Sequence, residues 1–163
     1  MGIRFTADEI LSIAEQIERN GIAFYAAAAS TVASPSLAEL LTRLSRWEVE
    51  HEKTFAALRR ALPDSAREPV TFDPDNELGL YLQATANLHV FSGTEDPRAI
   101  LGEQPTTEHI LELAMGKEKD SIVFYTGLRP FITPLLGGKS LDEIIAQEYG
   151  HLRMLEEQRA SLN

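Results

Sequence analysis

The chain has 163 residues, 44% of them apolar and 25% charged, with a formal net charge of −10. That is an ordinary globular composition, long enough to bury a core as one domain over 1–163, and its acidity argues against nucleic acid or an anionic membrane as partner. The absence of cysteine excludes disulfides, iron–sulfur clusters, thiolate zinc sites and thiol nucleophiles; no apolar run approaches the roughly 18 residues of a membrane span, and without a signal pattern the expected location is the cytoplasm.

Thr6-Ala-Asp-Glu9 is a capping box that opens a first helix. Steps of three and four then place Leu11, Ala14, Glu18, Gly21, Tyr25 and Ala28 on one stripe, ending near Pro35. Ser36-Leu-Ala-Glu39 is a second box, and its helix carries Leu37, Leu41, Leu44, Glu48, His51, Phe55, Leu58 and Leu62 inward, with Pro63 as its end. Residues 63–105 form a proline-rich crossover in which Asn76–Phe91 has the pattern of one shorter helix. Thr106 opens a third long helix with Leu111, Ala114, Glu118, Ser121, Tyr125 and Leu128 on its stripe, broken by Pro130, Pro134 and Gly137-Gly138. Ser140-Leu-Asp-Glu143 is a third box, followed by Leu141, Ile144, Glu148, His151, Leu155 and Leu162.

The second half repeats the first at an offset of 100 residues. Aligning 6–25 on 106–125 leaves eight identical pairs of twenty, among them Glu18/Glu118, Phe24/Phe124 and Tyr25/Tyr125. Leu41/Leu141, Glu48/Glu148, His51/His151, Arg59/Arg159 and Leu62/Leu162 continue it. The expected architecture is therefore all-α: two duplicated helical hairpins, about 6–62 and 106–162, joined by a long crossover into a four-helix bundle of ferritin-like type.

Each hairpin offers one Glu from its first helix and a Glu-x-x-His step from its second. Residues three apart share a helix face, so one carboxylate and one imidazole can reach the same cation. The inward set is Glu18, Glu48, His51, Glu118, Glu148 and His151, the pattern of a two-metal carboxylate centre. Four buried carboxylates need compensation. Two divalent ions match them at +4 against −4, as do two ferric ions with a bridging oxide. The competing reading is a pair of interhelical Glu–His ion pairs. Iron or manganese suits this donor set better than a closed zinc site, although affinity alone admits zinc. Tyr25 and Tyr125 lie seven residues beyond Glu18 and Glu118, where their hydroxyls either meet facing carboxylates or pack as plain core. Phe24 and Phe124 read as core, His89 and His109 as ordinary helix residues, and Glu50 as turned off the stripe. Trp47 fits the surface, an interface or a place beside the ligands.

The motifs Ala14-x-x-x-Glu18-x-x-x-x-x-Phe24-Tyr25, Glu48-x-x-His51 and their repeats at Ala114, Glu118, Phe124-Tyr125 and Glu148-x-x-His151 resemble the rubrerythrin-like branch of the ferritin-like superfamily. The resemblance implies two iron ions reacting with hydrogen peroxide or oxygen, a separate electron-donor protein, and often a homodimer. It also implies hydrogen bonds from Tyr25 and Tyr125 to metal carboxylates. Two departures stand out. The 163 residues contain none of the four cysteines of the rubredoxin domain of full rubrerythrins, and Ser121 stands where they carry an extra Glu associated with peroxide turnover. The expected function is a di-iron oxidoreductase protecting against oxidative stress; an iron-handling ferroxidase or storage protein, and a non-catalytic metal-binding module, are the alternatives.

Overall fold

The computed structural model describes residues 6–67 and 96–162. Among these there are helices and no strand: α1 Ala7–Thr31, α2 Pro35–Arg60, a 3-10 turn Asp64–Arg67, α3 Pro97–Leu101, α4 Thr107–Leu136 and α5 Lys139–Ala160. The expected crossover helix Asn76–Phe91, with His89, lies outside the described residues.

The capping box at Thr6 forms as expected, its hydroxyl accepting from the Glu9 amide while the Glu9 carboxylate accepts from the Thr6 amide. Thr106 likewise caps α4 through the His109 amide. The other two boxes do not form. Ser34, not Ser36, caps α2, because Pro35 then takes the first helical position, where its missing N–H costs nothing. Helix α5 begins at Lys139 after Gly138 with no side-chain cap, and Asp142 instead pairs with Arg129 across the turn at 2.8 Å.

The larger correction concerns Pro130 and Pro134, which lie inside α4 rather than ending it. Both are exposed and one turn apart, so the carbonyls they leave unbonded fall on the solvent side. Buried Ile132 and half-buried Phe131 hold the extension to the core. The helix stops at Gly137, whose φ of 76° is open to glycine and strained for other residues. Leu162 also departs from expectation: it is exposed beyond the end of α5, whereas Leu62 tucks back into the core.

Helix α1 packs most closely on α2 and α4 on α5, with α1–α4 and α2–α5 meeting across the pairs. Two apolar clusters set the directions. One joins the N-terminal half of α1, Phe55 and Leu62, Phe124 to Ile132 and Leu141 with Ile144. The other joins Phe24 to Ala28, Leu37 to Leu44, Ile110 to Met115 and Leu155, and α3 adds Leu101 to it. Each neighbouring pair of long helices is thus antiparallel, and the bundle has an apolar core at each end. Between those ends lies a waist of buried charged side chains: Glu18, Glu48, His51, Glu118, Glu148 and His151, each at most 4% exposed.

Candidate metal centre

The six inward groups come together from four helices. They form two overlapping sets whose ligand atoms lie within 4.8 Å of one another, Glu18/Glu48/His51/Glu148 and Glu48/Glu118/Glu148/His151. Glu48 and Glu148 belong to both. Each turns one oxygen to each half: His51 Nδ1 lies 3.1 Å from Glu48 Oε2 and 3.1 Å from Glu148 Oε1. His151 Nδ1 lies 3.5 Å from Glu48 Oε1 and 3.4 Å from Glu148 Oε2. Glu18 Oε2 stands 3.7 Å from His51 Nδ1, and Glu118 Oε2 3.4 Å from His151 Nδ1. The geometry offers two terminal Glu–His pairs with two carboxylates shared between them.

The tyrosines cross between hairpins. Tyr25 on α1 donates its hydroxyl to Glu118 Oε1 on α4, and Tyr125 on α4 donates to Glu18 Oε1 on α1. In both cases the bond takes the oxygen facing away from the histidine and leaves Oε2 turned inward. Plain core packing of these rings is therefore not their whole role, though Phe55 does lie 4.8 Å from the Tyr125 ring.

Among the described residues, three buried polar atoms at the waist have no well-formed hydrogen bond, Glu118 Oε2, Glu148 Oε1 and His151 Nδ1, the approach of His51 Nδ1 to Glu148 Oε1 being an ion contact. An unsatisfied buried polar atom costs roughly 1–3 kcal/mol. Three of them, all aimed at one another's neighbourhood, are what a pair of cations would satisfy, so the donor set fits a two-metal cofactor.

A rubrerythrin family profile matches residues 9–158. The chain belongs to the rubrerythrin family. A crystal structure of a ferritin-like diiron-carboxylate protein from Thermotoga maritima is similar at a TM-score of 0.69 and 22% identity, covering 100% of both chains, which supports the fold. No curated protein matches the chain significantly.

The electrostatics of this rubrerythrin-family waist follow from burial and crowding. Burial, then the charge of Glu48, raises the Glu18 carboxyl well above its ordinary range, and burial with the charge of Glu148 does the same to Glu118. Burial pushes Glu48 upward too, but hydrogen bonds with Glu18 and both histidines outweigh it and hold Glu48 low; Glu148 is held low by Glu118 and the histidines against burial and the Glu48 charge. Burial works against charge on His151, yet Glu118, Glu148 and Glu48 push it up to about 11. His51 is raised for the same reason by Glu148, Glu18 and Glu48. Burial, and then the facing carboxylate, keeps both tyrosines protonated donors.

Of the other residues singled out by the sequence, His109 is exposed on the first turn of α4, and Glu50 faces solvent beside Lys53. Trp47 is the informative case. Its indole stacks on His151, 5.1 Å between ring centroids at 11°, with the Arg43 guanidinium 5.2 Å from the indole. Two further residues shape the waist, Gln147, which no inward stripe contains, and Gly21, which the first stripe carries without a side chain. Gln147 Oε1 lies 2.7 Å from His51 Nε2, and Gly21 lets α2 approach so closely that a Cβ there would sit 3.3 Å from Glu48 Cγ. The signal for Gln147 was available in the repeat, where it aligns with Trp47; the signal for Gly21 was a missing side chain one turn from Glu18.

Proposed function

We propose that this rubrerythrin-family chain is a di-iron oxidoreductase whose centre is oxidised by hydrogen peroxide or dioxygen and reduced by a separate electron-donor protein. The observation that carries the reading is the pair of overlapping donor sets sharing Glu48 and Glu148. In it, Glu18 with His51 and Glu118 with His151 would hold one ion each, with Glu48 and Glu148 available to both. Two iron ions bound there would supply electron transfer and Lewis acidity, and manganese or zinc could substitute in the same donors. The protein's own part is positional. Tyr25 and Tyr125 fix the rotation of Glu118 and Glu18 from behind, and the imidazoles present Nδ1 inward. The apolar clusters on either side limit water at the waist. A homodimer in the cytoplasm is the expected setting, and no described helix is long and apolar enough to cross a membrane.

Ser121 favours a second reading. One turn after Glu118, it offers no carboxylate for ligand exchange, which is compatible with Fe(II) oxidation for iron handling or storage. One experiment separates the two. Iron-loaded protein is reduced anaerobically and mixed with one equivalent of hydrogen peroxide. Reoxidation within seconds, followed by the near-ultraviolet absorbance of paired ferric ions, supports the oxidoreductase; a centre that stays reduced removes the peroxide reaction and favours iron handling or a non-catalytic metal site. Changing Glu48 and Glu148 together to Ala should remove most iron binding, and loss of only a small part would sink the ligand assignment. Light scattering on the loaded protein tells a dimer from a storage shell.

A further inference from the structure

The duplicated hairpins place different side chains on the two imidazoles. Residues 47 and 147 occupy matching positions, each immediately before a shared glutamate and each reaching over the histidine of the opposite hairpin. Gln147 on α5 reaches His51 on α2, with its amide oxygen 2.7 Å from Nε2. Trp47 on α2 covers His151 on α5 as a near-parallel stack. These two contacts do different things to a ligand. An acceptor on Nε2 holds a proton there, so on metal uptake it is Nδ1 that loses its proton, and His51 would turn that lone pair, in a fixed tautomer and rotation, to an ion held among Glu18, Glu48 and Glu148. A stack restrains the plane of His151 but is indifferent to which nitrogen carries the proton and to sliding within that plane.

We propose that Gln147 makes the Glu18–His51 half of the centre the first to take a metal ion, the Glu118–His151 half beneath Trp47 filling second. This rests on the two-metal reading above. Gln147 acts through His51 as a positioning residue and does not touch the ion. Because Gln147 is exposed, water partly replaces its oxygen when it is lost. The expected loss in affinity is therefore about tenfold, the lower end of what such contacts contribute.

Trp47 is the chain's single tryptophan, so its emission reports specifically from the imidazole it stacks on. The test is a titration of metal-free protein with Co(II), followed by calorimetry and by Trp47 emission. In the wild type, two ions bind per chain and the larger emission change accompanies the second. In Gln147→Leu, the first-step affinity falls about tenfold and the emission change moves to the first ion. Gln147→Glu restores the acceptor and the original order, while adding Ala146→Glu to Gln147→Leu supplies the same charge without the contact and restores neither. Two ions bound with emission changing chiefly on the first, or a Gln147→Leu protein with unaltered steps and order, overturns the assignment of order while leaving the centre intact. Uptake of fewer than two ions overturns the two-metal reading and this proposal with it. Circular dichroism of each variant, unchanged because position 147 is exposed, excludes misfolding as the cause.

Discussion

Loading the metal-free protein with two divalent ions near pH 7 is expected to release at least two protons, one from each imidazole, because buried charge at the waist must stay compensated. Without metal, His51 and His151 are raised far enough to be imidazolium, Glu48 and Glu148 are held ionised, and Glu18 and Glu118 are pushed toward their neutral forms. Two positive groups then face two negative ones. With two divalent ions, all four carboxylates ionise and both imidazoles give up a proton at Nδ1, so +4 faces −4. The conversion sheds one proton each from His51 and His151, and the raised Glu18 and Glu118 add to that release. For His151 at about 11, deprotonation at pH 7 alone costs on the order of 5 kcal/mol, which the metal must supply. At least one proton displaced per ion makes each binding constant rise about 10-fold or more per pH unit, or about 1.4 kcal/mol. Calorimetry in buffers of different ionisation enthalpy counts the protons directly, and repeating it across pH gives the slope. Release of fewer than two protons, or an affinity that does not rise with pH, would refute the protonation scheme.

Three further outcomes follow from the same contacts. Metal-free protein should lose stability on the alkaline side: the folded value of His151, about 11, lies above the ordinary 6.5, so its stabilising contribution is complete below pH 6.5 and drains as pH rises through 11. By about pH 8.5 that group alone removes roughly 2–3 kcal/mol, with the raised Glu18 and Glu118 acting in the same direction; a melting temperature that is flat from mildly acid to alkaline pH would count against it. Tyr125→Phe takes away the donor to Glu18 and should destabilise by about 1–3 kcal/mol while weakening uptake in the His51 half, whereas Tyr25→Phe acts through Glu118 on the other half. Stepwise metal titration of the two variants distinguishes this crossed pattern from its reverse. Gly21→Ala gains up to about 1 kcal/mol of helix propensity but puts a methyl 3.3 Å from Glu48 Cγ, so thermal melts should stay near wild type while metal affinity falls.

The bundle was legible because its stripes are long and their period is unambiguous. Leu37, Leu41, Leu44, Glu48, His51 and Phe55 are all buried, as alternating steps of four and three require. Boundaries were less so. Two prolines in five residues normally end a helix, yet α4 continues through Pro130 and Pro134 because their unbonded carbonyls face water and Ile132 keeps this turn of the helix on the core. A capping box at Ser140 is a local preference, and the Arg129–Asp142 pair across the turn offers a competing use for the same acidic turn. Such choices are settled by tertiary partners that a local pattern does not contain.

The centre itself divides the same way. Duplication announces the six inward groups, since a Glu or His kept at core positions in both halves has no apolar role to play. It equally conceals what differs between the halves, because the eye passes over positions that do not match. Trp47 and Gln147 share neither size nor charge, and each acts on a histidine of the opposite hairpin, about 100 residues away in sequence but adjacent across the waist. Helical period places both just off the inward stripe, at the edge where a side chain can lean over a neighbour's ligand without being one. Pseudo-symmetry at that edge is broken by chemistry alone: one imidazole has a hydrogen-bond acceptor behind it, the other a ring above it. A site built from equivalent ligands is thereby free to hold two ions unequally, and the residues that decide it are those the repeat did not preserve.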